Sequence, residues 1–292
     1  MKKIKLSRNI LGKVLKAQKN EATENIVYKK LARSLKDAKN RKILEDISKS
    51  EQKHYQFWKN LTQKEVKPDR WKIFKFFWIA RLFGITFGIK LMENGEGQAQ
   101  INYAGLKKEI PNISGIISDE NNHEKKLMDL LKEERLQYLG SVVLGLNDAL
   151  VELTGTLAGL TFAIRNTRVI ALAGIITGIA AALSMAASQY LSTKSEGHEN
   201  PLKASIYTGV AYIITVFLLI LPYLLINNYI LCLAITMSIA IFEIFLFNYY
   251  ISVAKDLPFK KRFLEMTIIS LSVAALSFVL GYLMKIFLNV DL

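Results

Sequence analysis

The chain is poor in cysteine and proline. Its 292 residues include one cysteine, Cys232, and five prolines. A single thiol excludes an intrachain disulfide framework, a Cys-x-x-Cys redox pair and a cysteine-built zinc site. Few prolines and no Ser/Gly-rich tract leave little room for a long disordered linker. The Met1–Lys19 stretch lacks a continuous apolar core, so a cleaved signal peptide is not expected. Charge is scarce too, but only in one half. Residues 1–137 hold 30 Lys+Arg against 17 Asp+Glu, a net of +13, whereas residues 138–292 hold 9 against 8, a net of +1. So uneven a division excludes one uniform soluble domain and predicts a polar, basic module (1–137) followed by an apolar membrane module (138–292). The cationic excess is spread along a module adjoining membrane segments, which points to anionic lipid and not to nucleic acid.

What is present in the second half is a series of five apolar stretches, at 138–164, 168–193, 203–226, 229–253 and 262–289. Each is long enough to cross a hydrocarbon core of about 30 Å at about 1.5 Å per residue. The N-terminal module and the loops at 194–203 and 255–262 carry most of the Lys and Arg. The positive-inside bias then places the N-terminus in the cytoplasm and the C-terminus outside. Small residues such as Gly155, Gly159, Gly174 and Gly178 suit close helix approach. The informative residues are polar. Asp148, Glu152 and Glu243 fall inside spans, where ionisable groups are costly and mark ion or substrate paths. Asp148, Met185 and Glu243 come to one level, each about 12–15 Å from the cytoplasmic end of its span. Carboxylate oxygens suit a divalent metal, and a thioether adds preference for a transition metal. A carboxylate that binds metal and proton in turn suits metal/proton exchange.

The first half reads as four helices, at 7–35, 38–62, 72–107 and 111–134, with Pro68 and Pro111 near helix starts. Two of the three histidines occur in Glu51-Gln52-Lys53-His54 and Glu120-Asn121-Asn122-His123. Glu-x-x-His sets both side chains on one helix face, one turn apart, within reach of one metal. The other two helices offer carboxylates at Glu21 and Glu24, and at Glu93 and Glu96. Two helices giving Glu and two giving Glu-x-x-His is the di-iron carboxylate pattern of a four-helix bundle. Helix phase permits either Glu21 or Glu24. The expected fold is all-α: a ferritin-like four-helix bundle, then a five-helix transmembrane domain.

The first 135 residues resemble the rubrerythrin branch of the ferritin-like families. The resemblance is carried by Glu21 seven residues before Tyr28, by Leu31-Ala32, by both Glu-x-x-His motifs and by the pair Glu93-x-x-Glu96. It implies two irons bridged by Glu51 and Glu120, with Glu21, His54, Glu93, Glu96 and His123 completing the shell. The absent Cys-x-x-Cys means that the rubredoxin module of full rubrerythrins is missing. The five spans resemble the vacuolar iron transporter family, through Gly145-Leu146-Asn147-Asp148-Ala149-Leu150-Val151, Thr154-Gly155 with Ala158-Gly159, and the run Ala182 to Tyr190. That resemblance implies metal-path roles for Asp148 and Met185, and a homodimer. The chain departs from the family at Gln189, where members often have Glu, and in its short 194–201 loop, which offers Glu196, His198 and Glu199 as a metal relay at the mouth. The expected function is export of cytosolic Fe²⁺ or Mn²⁺ by exchange for protons, with the bundle binding or sensing iron and having a possible ferroxidase activity. The alternative is a membrane-tethered di-iron oxidase or peroxidase. An anchor needs only one or two spans and no buried acids, so five spans with three acids weigh against it.

Overall fold

The structure is a computed structural model and describes residues 8–94, 110, 113–129, 138–197 and 200–288. All regular elements among them are helices: α1 (Arg8–Ser34), α2 (Ala38–Thr62), α3 (Arg70–Phe83), α4 (Ile85–Asn94), α5 (Ile113–Asp129), α6 (Leu139–Ile164), α7 (Thr167–Ser195), α8 (Pro201–Leu225), α9 (Tyr229–Lys255) and α10 (Phe259–Leu288). They form two compact units, Met1–Glu133 and Glu134–Leu292.

In the first unit, α1 and α2 form an antiparallel hairpin. Asp37 caps α2, its side chain accepting a hydrogen bond from the Asn40 amide at 2.6 Å. The pair is tied near mid-length, where Asn25 donates to the Ser48 carbonyl (2.6 Å), and at the end of α2, where the Thr62 hydroxyl donates to Gln18 (2.8 Å). The buried stripe of α2 runs Leu44, Ile47, Glu51, His54, Trp58, alternating steps of three and four residues as helical periodicity demands. Two polar residues sit mid-stripe. They lie between an apolar cluster around Tyr28, Leu31, Leu44 and Ile47 and a second around Val14, Ala17, Trp58 and Ile113.

The expected single helix over 72–107 is broken. Asp69 caps α3 by accepting from the Trp71 and Lys72 amides, and Gly84 ends it at φ 106°, ψ 147°. Side-chain-bearing residues seldom adopt that backbone conformation, so glycine permits the turn. Beyond it α4 packs back on α3, with Gly88 against Ala80 so closely that a Cβ has no room. The rest of the expected third helix, 95–107, lies outside the described residues.

The second unit contains five helices long and apolar enough to cross a membrane. Their ends fall within a few residues of the expected spans, because capping residues fix them. Asn166 caps α7 and Asn228 caps α9, each accepting two backbone amides, while Pro201 opens α8. The helix α6 is central and packs against each of the other four. Small residues allow this: Gly145 abuts the Thr208 backbone, Gly178 abuts Val216, and Gly159 abuts Gly281. Hydroxyls bond across the seams, from Thr208 to the Ser141 carbonyl (3.0 Å), Ser205 to the Ala186 carbonyl (2.7 Å) and Thr236 to the Leu219 carbonyl (2.9 Å). Outward positions are apolar, as lipid contact requires: Leu172, Ile176 and Leu183 on α7, Ile268 and Leu276 on α10.

Candidate metal sites

The first unit gathers its donors where α1, α2 and α5 meet. Glu21, Glu51, His54 and Glu120 each offer a ligand atom, all within 4.8 Å of one another. The Nδ1 atom of His54 lies 3.1 Å from Glu120, 3.3 Å from Glu51 and 3.6 Å from Glu21. His123 brings its Nδ1 to 3.0 Å from the other oxygen of Glu51, and to 3.9 Å from Glu120. Glu51 thus faces one imidazole with each carboxylate oxygen, and the rings lie 5.7 Å apart. Glu21, Glu51, His54 and His123 are buried, and Glu120 nearly so.

Three carboxylates this close repel one another in a dry interior. Burial pushes the Glu21 carboxyl up to about 8, Glu51 adding to the shift and His54 opposing it. Burial also raises Glu120. Burial alone would push Glu51 up, but contacts from His123 and His54 bring it below the usual carboxylate range. For His54, burial works downward and is overridden by Glu120, Glu21 and Glu51, which lift the imidazole to about 12. A cluster of buried oxygens and imidazole nitrogens, crowded around one shared carboxylate, fits a divalent ion of the Fe²⁺ or Mn²⁺ class.

The remaining expected ligands are placed differently. Glu93, on α4, accepts a hydrogen bond from the Tyr28 hydroxyl at 3.1 Å. Glu24 is half-buried near Tyr28. Glu96 lies outside the described residues. Two partners were missed in the sequence. Trp58 donates its indole N–H to Glu21 at 3.1 Å, and Asp119 approaches the far nitrogen of His54 at 3.4 Å. A carboxylate behind a ligating imidazole orients its ring. Its signal was local: Asp119 directly precedes the Glu120-x-x-His123 motif. Trp58 was legible only as the next turn of the α2 stripe.

In the second unit the polar groups gather on and around α6. Asp148 and Glu152 stand one turn apart on one face of it. Glu152 accepts a hydrogen bond from Tyr212 of α8 at 2.7 Å. Glu243 of α9 has both carboxylate oxygens shut from solvent, near Thr215. Counting from the α6 start, the α7 end, the α8 start and the α9 end, Asp148, Glu152, Met185, Tyr212 and Glu243 all lie about 14–20 Å along their helices. That is mid-depth for helices of this length. Met185 is half-buried against the apolar core of the unit. Gln189 donates to Ser141 at 3.3 Å and to Thr193 at 3.0 Å. At the α7 end, Glu196 is exposed and accepts from Ser192 at 2.8 Å, while His198 and Glu199 lie outside the described residues. Tyr212 was not expected, because a tyrosine in an apolar run reads as core until its partner is seen.

Five apolar helices mark an integral membrane protein, and acids at mid-depth in such helices usually mark ion or substrate paths. Residues 139–198, covering α6, α7 and the turn after them, match the VIT family model. With the five helices, the match supports a vacuolar iron transporter-type membrane domain in the second unit, and the family suggests metal ion transport across a membrane. No curated protein and no solved structure matches the chain.

Proposed function

We propose that the protein exports cytosolic Fe²⁺ or Mn²⁺ in exchange for external protons. The observation that carries this reading is the acid pair Asp148–Glu152 at mid-depth on the central helix, inside the segment that matches the VIT family. Asp148, with Met185 facing the same level, takes the metal as cargo. Glu152, held by Tyr212, and the occluded Glu243 complete the path. The short 194–201 loop, with Glu196, His198 and Glu199, collects ions at the mouth. The N-terminus and the first unit are cytoplasmic, the C-terminus is external, and the functional form in the cell membrane is a homodimer.

In the same reading the first unit is a ferritin-like bundle that binds two irons. Glu51 and Glu120 would be shared between them, with Glu21, His54, His123, Glu93 and Glu96 around them and Glu24 as the alternative on α1. Bound iron would supply one-electron redox capacity there. The chain's own groups divide the work: Trp58 holds Glu21, Asp119 aligns His54, and Tyr28 holds Glu93. The buried tyrosine and tryptophan beside the donors also favour a second reading, a di-iron oxidase.

The deciding experiment is flux into proteoliposomes loaded with a metal-quenched dye, under an imposed pH gradient. Wild-type protein is expected to move Fe²⁺, and Asp148→Ala to abolish the movement. Unchanged flux in that variant would remove Asp148 from the path. No flux of Fe²⁺ or Mn²⁺ by wild type, together with oxygen-dependent Fe²⁺ oxidation, would favour the oxidase.

A further inference from the structure

Within the first unit, the exposed large apolar side chains among the described residues all lie on one helix, α3. Trp71 is 70% exposed, Phe74 55%, Trp78 46% and Leu82 63%, and Phe83, the last residue of the helix, is also exposed. The spacing of the first four, at three, four and four residues, puts them in one stripe along the helix, with Phe83 off its line. The opposite side holds α3 to its unit through Ile73 and Ala80, both buried. An apolar stripe of this composition on a polar module requires a partner.

The sequence around the stripe identifies the partner's chemistry. The helix contains no acid. Its cations are Arg70, Lys72, Lys75 and Arg81. At about 100° per residue, Lys75 falls on one flank of the stripe and Arg70 and Arg81 on the other. Two tryptophans with a phenylalanine and a leucine, bordered by cations on both sides, match the requirements of a helix lying in a lipid surface. The rings sit among the headgroups and upper acyl chains, and the cations reach anionic headgroups. A protein interface would be expected to bury its cations against acids or to lack them at its centre. The chain also runs on into five apolar helices, which keep a bilayer within reach at high local concentration.

We propose that α3 is an interfacial membrane helix, resting its Trp71–Phe74–Trp78–Leu82 stripe in the headgroup layer of an anionic bilayer. The tie holds the first unit at the membrane surface. It is independent of which metal the protein carries.

The chain offers its own probe. Its three tryptophans are Trp58, Trp71 and Trp78, so none lies in the second unit. Trp58 is fully buried. Full-length protein is placed in bilayers whose lipids carry bromine high on the acyl chain, which quenches only indoles in contact with them. In bilayers containing phosphatidylglycerol, wild-type emission is expected to fall by roughly a third or more, and the loss is expected to vanish in the W71F/W78F variant, which retains only the buried indole. Replacing Lys75 and Arg81 by Gln, or raising salt, is expected to weaken the quenching. Three results would overturn the proposal. The first is equal emission with and without bromine in wild type, with F74C crosslinking two copies, which would assign the stripe to a second protomer. The second is equal emission with no crosslink, which would leave the stripe in water. The third is quenching of the same size in purely zwitterionic bilayers at any salt, which would remove the anionic-lipid part. Tryptophan-to-phenylalanine changes keep the aromatic bulk, and an unchanged emission maximum of Trp58 reports that the fold survives. None of these readouts depends on metal flux, so a failure of transport and a failure of docking are distinguishable.

Discussion

Glu51 is the residue on which the candidate metal site of the first unit turns, since each of its oxygens meets a different histidine. Removing it together with Glu120 takes away the two carboxylates shared by the cluster. Glu51→Ala with Glu120→Ala is expected to abolish iron binding by the first unit, read as metal content of the purified full-length protein after Asp148→Ala removes the proposed transport site. Persistence of two irons would refute the ligand set. Protons compete for the same atoms. With Glu21 at about 8 and His54 at about 12, both hold a proton at neutral pH in the metal-free state. An arriving cation must displace them. Binding is therefore expected to release protons and to tighten as pH rises through 8, measured by pH-stat titration with Mn²⁺. Affinity that is flat from pH 6 to 8 would contradict this. Both Glu-x-x-His motifs were legible in the sequence, because a three-residue spacing is a statement about one helix. Asp119 and Trp58 were not, since their roles depend on which neighbouring helix their side chains meet.

At the scale of elements, helix ends were read from local chemistry. Asp37, Asp69, Asn166 and Asn228 are all side-chain caps. Asp69 also binds Lys19 of α1 at 2.8 Å, so it joins the start of α3 to the hairpin. Asp69→Ala is expected to lower the melting temperature of the first unit through the lost cap. The surface ion pair contributes little to that loss, because water screens it. A melting temperature unchanged within error would mean that another group satisfies the Trp71 and Lys72 amides. The break at Gly84 escaped the sequence reading, because the run from Trp71 to Met92 contains no proline and isolated glycines are tolerated inside a helical pattern. Beyond the turn Gly88 packs directly against Ala80, a contact between two helices that no local pattern shows.

At the scale of the whole molecule, one chain combines a basic, polar unit with a nearly neutral, apolar one, and Asp148, Glu152 and Glu243 of the second lie near one depth. Glu243 tests how that level works. Its oxygens are shut from solvent in an apolar surrounding, where a carboxylate without a cation is costly to ionise. Glu243→Gln keeps size and neutrality but cannot exchange a proton. It is expected to leave metal binding intact and to make flux insensitive to the pH gradient, measured in the dye-loaded liposomes. Gradient-dependent flux in that variant would exclude Glu243 from proton coupling. Sequence alone determined the division into a polar and a membrane half, the five spans, the paired Glu-x-x-His motifs and the depth of Asp148, because hydropathy, helical period and charge count are properties of one segment at a time. Only the tertiary structure decided that Glu51 lies between His54 and His123, that Glu152 meets Tyr212, and that α3 turns back at Gly84 and leaves its aromatic stripe exposed. These are contacts between residues far apart in the chain, selected by packing, and no local pattern encodes which of several compatible partners a side chain will meet.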